Sequence, residues 1–242
     1  MLAFTRASAL TEAYLYPEVR GLRRISVWAW TSAERDREAG RDGYELNGGT
    51  ILSFARQGSF VVRVLSGREP WAGETFDRQG LQAQASVKPA PWITMSSSWS
   101  RARGVYYRGN PAFGGLLHDA SIGAVFEPVP RLSQTLRARR VAFDRLDGGR
   151  VYRVLAIDSR TTFQFTRALA ARAVAQYDSG KERVLLDTLL SYEARPGTVM
   201  YAGYGALVER QAFADGRWSA GAGEYLTTKR GVFLKASYLW RF

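Results

Sequence analysis

The only histidine of the sequence, His118, stands next to an acid and close to a serine. His118, Asp119 and Ser121 are the residue types of a hydrolase relay, in which a base within hydrogen-bond reach activates a serine hydroxyl. Apolar residues recur at every second position from His118 to Phe126, which predicts a strand, and side chains an odd number of positions apart point to opposite faces of a strand. We therefore expect His118 to point away from both partners, and the sequence predicts no catalytic residue and no enzyme.

Acidic residues that could hold a metal ion occur in one charged segment. The sequence contains no cysteine and one histidine, which excludes thiolate sites and sites built from several histidines. Three acidic residues spaced two positions apart remain as a candidate cation site: Glu34, Asp36 and Glu38. Arginines lie among them at Arg35, Arg37 and Arg41. This mixture favours a solvated run of charges, and we expect no metal and no cofactor.

The chain is strongly basic, with 34 Lys and Arg against 22 Asp and Glu and a net charge of +12. Such a balance is typical of proteins that contact nucleic acid or an anionic membrane. The basic residues are mostly arginines spread singly along alternating segments, without one patch of interleaved aromatic residues. We therefore expect no nucleic-acid partner, and we expect arginines inside and at the rims of a membrane barrel, where rim arginines face anionic lipid.

Membrane helices are not predicted, because no stretch reaches the eighteen or so uncharged apolar residues that a spanning helix needs. Strands of a membrane barrel need fewer apolar residues, since every second side chain faces a polar interior. The sequence also supplies 7 Trp, 12 Tyr and 12 Phe, as an aromatic girdle at the membrane interface requires. These features favour a membrane β-barrel.

The last twelve residues form the clearest strand signal. Their apolar residues stand at every second position, at Val232, Leu234, Ala236, Tyr238, Trp240 and Phe242. Strict alternation predicts a strand. A terminal Phe preceded by apolar residues at every second position resembles the closing strand of bacterial outer-membrane β-barrels. We expect four of these residues to form the closing and assembly signal: Leu234, Tyr238, Trp240 and Phe242.

About thirteen segments, most of strand length, are joined by alternating short and long connections. Short turns rich in proline and glycine are predicted around Pro17 and at residues 88–91, 128–130 and 195–197. Long polar loops are predicted at residues 32–47, 66–78, 104–115 and 208–230. We expect the short turns to be periplasmic and the loops at 32–47, 104–115 and 208–230 to lie outside the cell.

Residues 166–194 allow a second interpretation, because they are rich in Ala, Leu and Arg and have helical propensity. Val184, Leu186, Thr188, Leu190 and Tyr192 fit the alternation of a strand equally well. Turns bracket segments of about ten residues, the length of a tilted membrane strand. The strand interpretation is favoured.

The predicted fold class is all-β: a transmembrane antiparallel up-and-down β-barrel of about 14 strands, within a range of 12–16. Residues 1–242 are expected to form a single barrel domain that is the C-terminal part of a longer chain. Bacterial single-chain barrels have even strand numbers, so a count of thirteen indicates a missed or merged strand, or a missing first strand.

Four stretches resemble one known family: TTFQFTRAL at 161–169, AQYD at 175–178, LSYEARPGT at 190–198 and GVFLKASYLWRF at 231–242. The resemblance is to the C-terminal outer-membrane barrel, a domain of unknown function, of bacterial proteins that carry an N-terminal carbohydrate-binding family 9-like β-sandwich. It covers about the last eighty residues, and upstream of Val151 only the pattern agrees. The resemblance implies a bacterial outer-membrane location and supplies no catalytic residues, and the sandwich of the family is not in this sequence.

The predicted lumen carries the functional hypothesis. Nine residues are expected to line it: Arg63, Arg137, Arg139, Asp158, Arg160, Arg172, Asp187, Lys235 and Arg241. Inward charges set the selectivity of an open pore, and an arginine surplus favours anions. If the arginines instead pair with Asp158, Asp187 and Glu193, the barrel is plugged and serves as a surface anchor.

Two further hypotheses stay open at this point. One is a barrel that takes part in carbohydrate binding or processing through an absent N-terminal domain. The other is a soluble, basic, all-β binding protein. For the barrel, the expected partners are outer-membrane lipid, lipopolysaccharide and the barrel-assembly machinery, which would recognise the C-terminal strand.

Overall fold

A computed structural model of the protein describes residues 4–36, 41–214, 217–221 and 223–239. Almost all of these residues lie in β-strands, with one 3₁₀ turn at Ala55–Gln57. The strand segments are β1 (Phe4–Leu15), β2 (Leu22–Asp36), β3 (Arg41–Phe54), β4 (Ser59–Trp71), β5 (Glu74–Ala90), β6 (Ile93–Tyr106), β7 (Phe113–Val129), β8 (Leu132–Arg145), β9 (Arg150–Gln164), β10 (Leu169–Asp178), β11 (Arg183–Arg195), β12 (Thr198–Ala214), β13 (Arg217–Ala220) and β14 (Glu224–Ser237).

The strands follow one another in sheet order as they do in sequence. β13 and β14 both pair antiparallel with β12, where Gln211 stands opposite both Ala220 and Glu224. The two segments therefore act as one interrupted strand. Gly221 and Gly223 lie in the interruption with φ of 85° and 80°, a conformation that glycine adopts without strain. Over the described residues the fold is an all-β, antiparallel, up-and-down meander of thirteen strands, which confirms the predicted class of secondary structure and its connectivity.

The four predicted long loops are largely strand, and this part of the prediction is wrong. Residues 32–36 and 41–47 continue β2 and β3, and Ser32 pairs with Glu45. Residues 208–214 continue β12, and the strand opposite them extends the same ladder. Backbone hydrogen bonding across a ladder does not depend on side-chain polarity, so charged residues can stand on strands that extend into water. Composition alone cannot separate such extensions from loops.

The other two predicted loops shrink to turns. Residues 66–78 contain only a two-residue turn, Ala72 and Gly73, with φ of 47° and 89°. Positive φ at both positions is the geometry of a tight hairpin. Within residues 104–115 the connection is 107–112. The turn predicted at 88–91 also moves, because β5 runs through Pro89 to Ala90, with its single proline next to the strand end.

The connections form two sets, as an up-and-down topology requires. The predicted short turns at Pro17 and near residues 91, 130 and 196 all follow odd-numbered strands. The predicted outside loops all fall after even-numbered strands, where the connections begin beyond Asp36, Tyr106 and Ala214. The topology thus separates the two groups as predicted, whereas the contrast in their lengths is small.

Residues 166–194 contain no helix. β10 and β11 form a regular antiparallel pair in which Ala173 stands opposite Thr188. The strand interpretation is therefore confirmed and helical propensity is overridden by cross-strand pairing. No helix within the described ranges is long and apolar enough to cross a membrane.

The chain divides into two compact units. Unit 1 comprises residues 1–89, 96–121 and 140–153, and unit 2 comprises 90–95, 122–139 and 154–242. In unit 1, Val64 and Leu81 face each other across β4 and β5 and are strongly exposed, while Arg63 pairs with Gln82 on the opposite face. Apolar residues are thus on the more exposed face of this sheet, the reverse of the arrangement in a soluble protein.

Candidate functional site

The pairing register of unit 2 brings five predicted lumen residues to one face of the sheet. Arg172 of β10 stands opposite Thr162 of β9 and Leu189 of β11. Leu189 in turn stands opposite Gly203 of β12, and Gly203 opposite Phe233 of β14. Residues an even number of positions from these share their face. We call this face, with Asp158, Arg160, Arg172, Asp187 and Lys235, the charged face.

The reverse side of the same strands is apolar. Its side chains include Ile157, Leu186, Leu190, Val232 and Leu234, each more than a third exposed. Leu234 is 81% exposed, which is unusual for a leucine in the middle of a strand of a soluble protein. The strands of unit 2 therefore separate charged and apolar residues by face.

The cations of the charged face are not neutralised by the acids beside them. The carboxylate of Asp158 accepts a hydrogen bond from Gln176 Nε2 at 2.9 Å. Two ion pairs of unit 2 lie at strand ends, one between Arg183 and Asp178 and one between Arg210 and Glu182. Among the described residues, Arg160, Arg172 and Lys235 make no ion pair. The charged face thus presents exposed positive groups.

Two glycines of β12, Gly203 and Gly205, lie on the charged face. An added Cβ at Gly203 would collide with the ring of Phe233, so glycine lets that ring lie directly against the strand. Gly205 stands opposite Asp187 and Gly231. The charged face also carries large side chains, because Phe233 lies against Gly203 and Tyr201 of β12 stands opposite Lys235.

Two further predicted residues, Arg137 and Arg139, lie on β8. On that strand the Gln134 side chain donates to Ser159 Oγ at 3.0 Å and accepts from Thr161 Oγ1. Ser159 and Thr161 belong to the apolar side of β9, so Gln134 does too. Arg137 and Arg139 are an odd number of positions from Gln134 and therefore belong to the side of the charged face.

Arg63, predicted for the same role, lies in unit 1 in a different setting. Its guanidinium donates to Asn47 Oδ1 through Nε at 2.9 Å and also through Nη2. Asn47 donates to Glu45, whose carboxylate is 3.9 Å from Arg63 Nη2. Trp28 lies 5.9 Å from the guanidinium. We call Glu45, Asn47 and Arg63 the Asn47 network; Asn47 is only 2% exposed.

A second polar cluster of unit 1 surrounds Glu69. Its carboxylate accepts from Arg78 Nη1 at 3.1 Å and from the Tyr107 hydroxyl. The Tyr107 ring packs edge-on against Trp71, with centroids 4.9 Å apart. Burial, and then the hydrogen bond to Glu69, raise the pKa of Tyr107 to about 12. Tyr107 therefore stays a neutral donor over the physiological range.

His118 is not part of a hydrolase relay. Its Nε2 lies 3.8 Å from Asp144 Oδ2, and Asp144 also accepts from Arg150 Nε at 2.8 Å. Ser121 instead hydrogen-bonds Ser98 at 2.8 Å. The structure thus separates the histidine from the nearby serine, as the odd spacing predicts.

No group of metal-ligating side chains is found in the described part of the chain. Of the candidate cation site, Glu38 lies outside that part. Three predicted residues of the C-terminal strand, Trp240, Arg241 and Phe242, also lie outside it. Leu234 and Tyr238 are described, and both are strongly exposed.

An aromatic cluster that sequence reasoning missed lies in unit 1. The rings of Tyr106, Phe113, Phe143 and Tyr152 have centroids 5.1 to 6.4 Å apart. Arg145 stands 4.3 Å over the Phe113 ring. The cluster joins four strands, so no local pattern indicates it. Only the concentration of aromatic residues near 106–113 could have pointed to this region.

Comparisons with known proteins give a distant result. No protein-family model matches the chain. No curated protein matches it either. One similar solved structure is described as "NanC porin structure in rhombohedral crystal form", and its sequence is 14% identical to this one. The match covers 82% of this chain and 94% of that chain, with a TM-score of 0.36. A likeness of this degree carries no conclusion about this chain, and the family resemblance stays a prediction.

Proposed function

We propose that this chain is a bacterial outer-membrane β-barrel that acts as a passive pore. The observation that carries the proposal is the division of the strands into an exposed apolar face and an opposite polar or charged face. Monomeric soluble proteins rarely expose apolar patches beyond a few hundred Å². Hydrocarbon is the solvent in which such a face is favourable, and a closed ring of strands satisfies the backbone there.

The charges favour a pore over a plugged anchor. The anchor hypothesis requires the arginines to pair with Asp158, Asp187 and Glu193. Instead Asp158 bonds Gln176, and Arg160, Arg172 and Lys235 make no ion pair with any described residue. Fixed positive charge in a water-filled path with low-dielectric walls attracts anions. We therefore propose anion preference, with Arg137 and Arg139 contributing from β8.

Planar-bilayer conductance of the purified protein tests this proposal. We expect anion-selective current, and the double variant Arg160→Ser with Arg172→Ser should shift the selectivity toward cations. Arg137→Ser with Arg139→Ser should shift it in the same direction. Arg131→Ser with Arg167→Ser is the matched control, because it also removes two charges, in the turns after β7 and β9, and should leave selectivity unchanged.

Three outcomes would contradict the proposal in different ways. Absence of conductance would leave the surface anchor. Equal effects of the control and the test variants would mean that bulk charge, not the charged face, sets the selectivity. A soluble monomer without detergent would overturn the membrane class and leave the basic all-β binding protein.

The finer family assignment is also a proposal. The resembling stretches fall on β9, β10, β11 with the turn to β12, and β14. These strands belong to one sheet, in which β12 lies between β11 and β14. Under this assignment the chain is non-enzymatic, its partners are outer-membrane lipid, lipopolysaccharide and the barrel-assembly machinery, and any carbohydrate binding belongs to another domain. A carbohydrate-binding sandwich encoded upstream in the same gene would support it.

A further inference from the structure

A cavity in unit 1 is lined by aromatic rings and two guanidinium groups. Its volume is about 510 Å³. The lining residues that matter are Arg78, Tyr106, Tyr107, Arg108, Phe143 and Tyr152. A volume of this size is in the range of small-molecule sites, roughly 300–1,000 Å³. We call it the aromatic cavity.

The rings provide an apolar wall. Phe143 and Tyr152 are nearly parallel, at 18°, with centroids 6.0 Å apart. Tyr106 stands 5.7 Å from Phe143 and 6.4 Å from Tyr152. Gly104 also lines the cavity, and an added Cβ there would be 3.8 Å from the Phe143 ring. Aromatic faces in this arrangement pack well against a planar apolar body.

The charges of the cavity leave one positive group without an acid. Arg78 is held by Glu69 at 3.1 Å, which neutralises it. Arg108 lies in the exposed turn after β6 and makes no ion pair with a residue of the described ranges. Glu69 is also occupied by the Tyr107 hydroxyl. The cavity therefore matches a ligand with a single negative charge, and the planar fork of a guanidinium matches a carboxylate.

We propose that the aromatic cavity binds a small organic carboxylate with a planar aromatic body. The carboxylate lies against Arg108 with Arg78 beside it, and the ring of the ligand packs on Tyr106, Phe143 and Tyr152. This inference does not rest on the proposed pore, because it needs only the residues of unit 1.

Isothermal titration of the purified full chain in a nonionic detergent tests the proposal. The probe is 2-naphthoate, and the comparison ligands are the neutral 2-naphthalenemethanol and the ringless acetate. We expect saturable binding of 2-naphthoate and at least about tenfold weaker binding of both comparison ligands. The alcohol lacks the charge-assisted hydrogen bond, and acetate lacks the ring that packs on the aromatic wall; each loss corresponds to about a factor of ten in affinity or more. Titration into empty micelles gives the background.

Variants locate the site. Arg108→Gln should weaken 2-naphthoate binding about tenfold, as loss of a charge-assisted hydrogen bond does. Arg131→Gln is the control, since Arg131 is another exposed turn arginine, in unit 2. Equal binding of the neutral ligand, equal effects of the two variants, or binding no better than to empty micelles would each overturn the proposal. None of these outcomes bears on bilayer conductance.

Discussion

On the polar face of unit 1, Arg63 is held in a hydrogen-bond network, whereas the arginines on the charged face of unit 2 are exposed and make no ion pair with a described residue. Arg63 bonds Asn47 twice and stands near Glu45 and Trp28. Arg160 and Arg172 are exposed and have no ion-pair partner among the residues described. An arginine therefore stabilises the fold through hydrogen bonds in unit 1, whereas the arginines of the charged face in unit 2 are accessible to ions or ligands.

Side-chain packing is also tighter at Phe143 in unit 1 than along β14 in unit 2. In unit 1 the Phe143 ring is almost completely buried and lies against Gly115. In unit 2 most residues of β14 are exposed, and an added Cβ at Gly231 would meet no atom within 4 Å. Buried aromatic packing resists substitution because the interior is already filled. The two units should therefore respond differently to the same change.

The largest expected difference concerns glycines. Gly115→Ala would place a Cβ against the Phe143 ring and 2.6 Å from the Asp144 carbonyl oxygen, so it should destabilise the fold by about 3 kcal/mol, the upper part of the overpacking range. Gly231→Ala meets no atom within 4 Å and should change stability by less than about 0.5 kcal/mol. Urea unfolding of both variants in lipid vesicles measures this. Equal stability of the two variants would contradict the difference in packing between the two units.

The next effect concerns the Asn47 network. Asn47→Ala should lower the free energy of unfolding by about 2 kcal/mol, because Arg63 and Glu45 lose their buried partner. Arg172→Ser, on the charged face, should change this free energy by less than about 0.5 kcal/mol, since Arg172 makes no side-chain hydrogen bond or ion pair with a described residue. The same unfolding assay measures both variants. A loss of unfolding free energy in Arg172→Ser as large as that in Asn47→Ala would show that the residues of the charged face also stabilise the fold.

The smallest effect is the pH dependence of the Glu69 cluster. The pKa of Tyr107 is raised to about 12 by burial and then by Glu69, so the neutral tyrosine is the form that the fold stabilises. This contribution is fully present below the ordinary tyrosine pKa of about 10 and is lost as the pH rises through about 12. The stability advantage of the wild type over Tyr107→Phe should be constant below pH about 10 and fall between about 10 and 12.

Unfolding midpoints of both proteins across this pH range measure the advantage, and the other tyrosines cancel in the difference. An advantage that already falls below pH about 10 would mean that the pKa of Tyr107 is not raised.

Much of the fold was predictable because it is local. Alternation in residues 81–88 predicts which side chains share a face, and the exposure of Leu81 and Val87 opposite Gln82 agrees with it. The predicted strands are shorter than those in the structure, because the sequence predicts loops in the charged segments near residues 36 and 211. Their backbone is held by the neighbouring strand, and that contact has no local signal.

The sequence by itself determined the alternation of faces and the separation of His118 from Ser121, because both follow from the two-residue period of a strand. Only the tertiary structure decided the register. Register places Asn47 beside Arg63 and Asp158 beside Gln176, and it brings Tyr106 to Tyr152 across the intervening strands. Pairing energy is summed over many backbone bonds and side-chain contacts of different strands, so no single segment of sequence contains it.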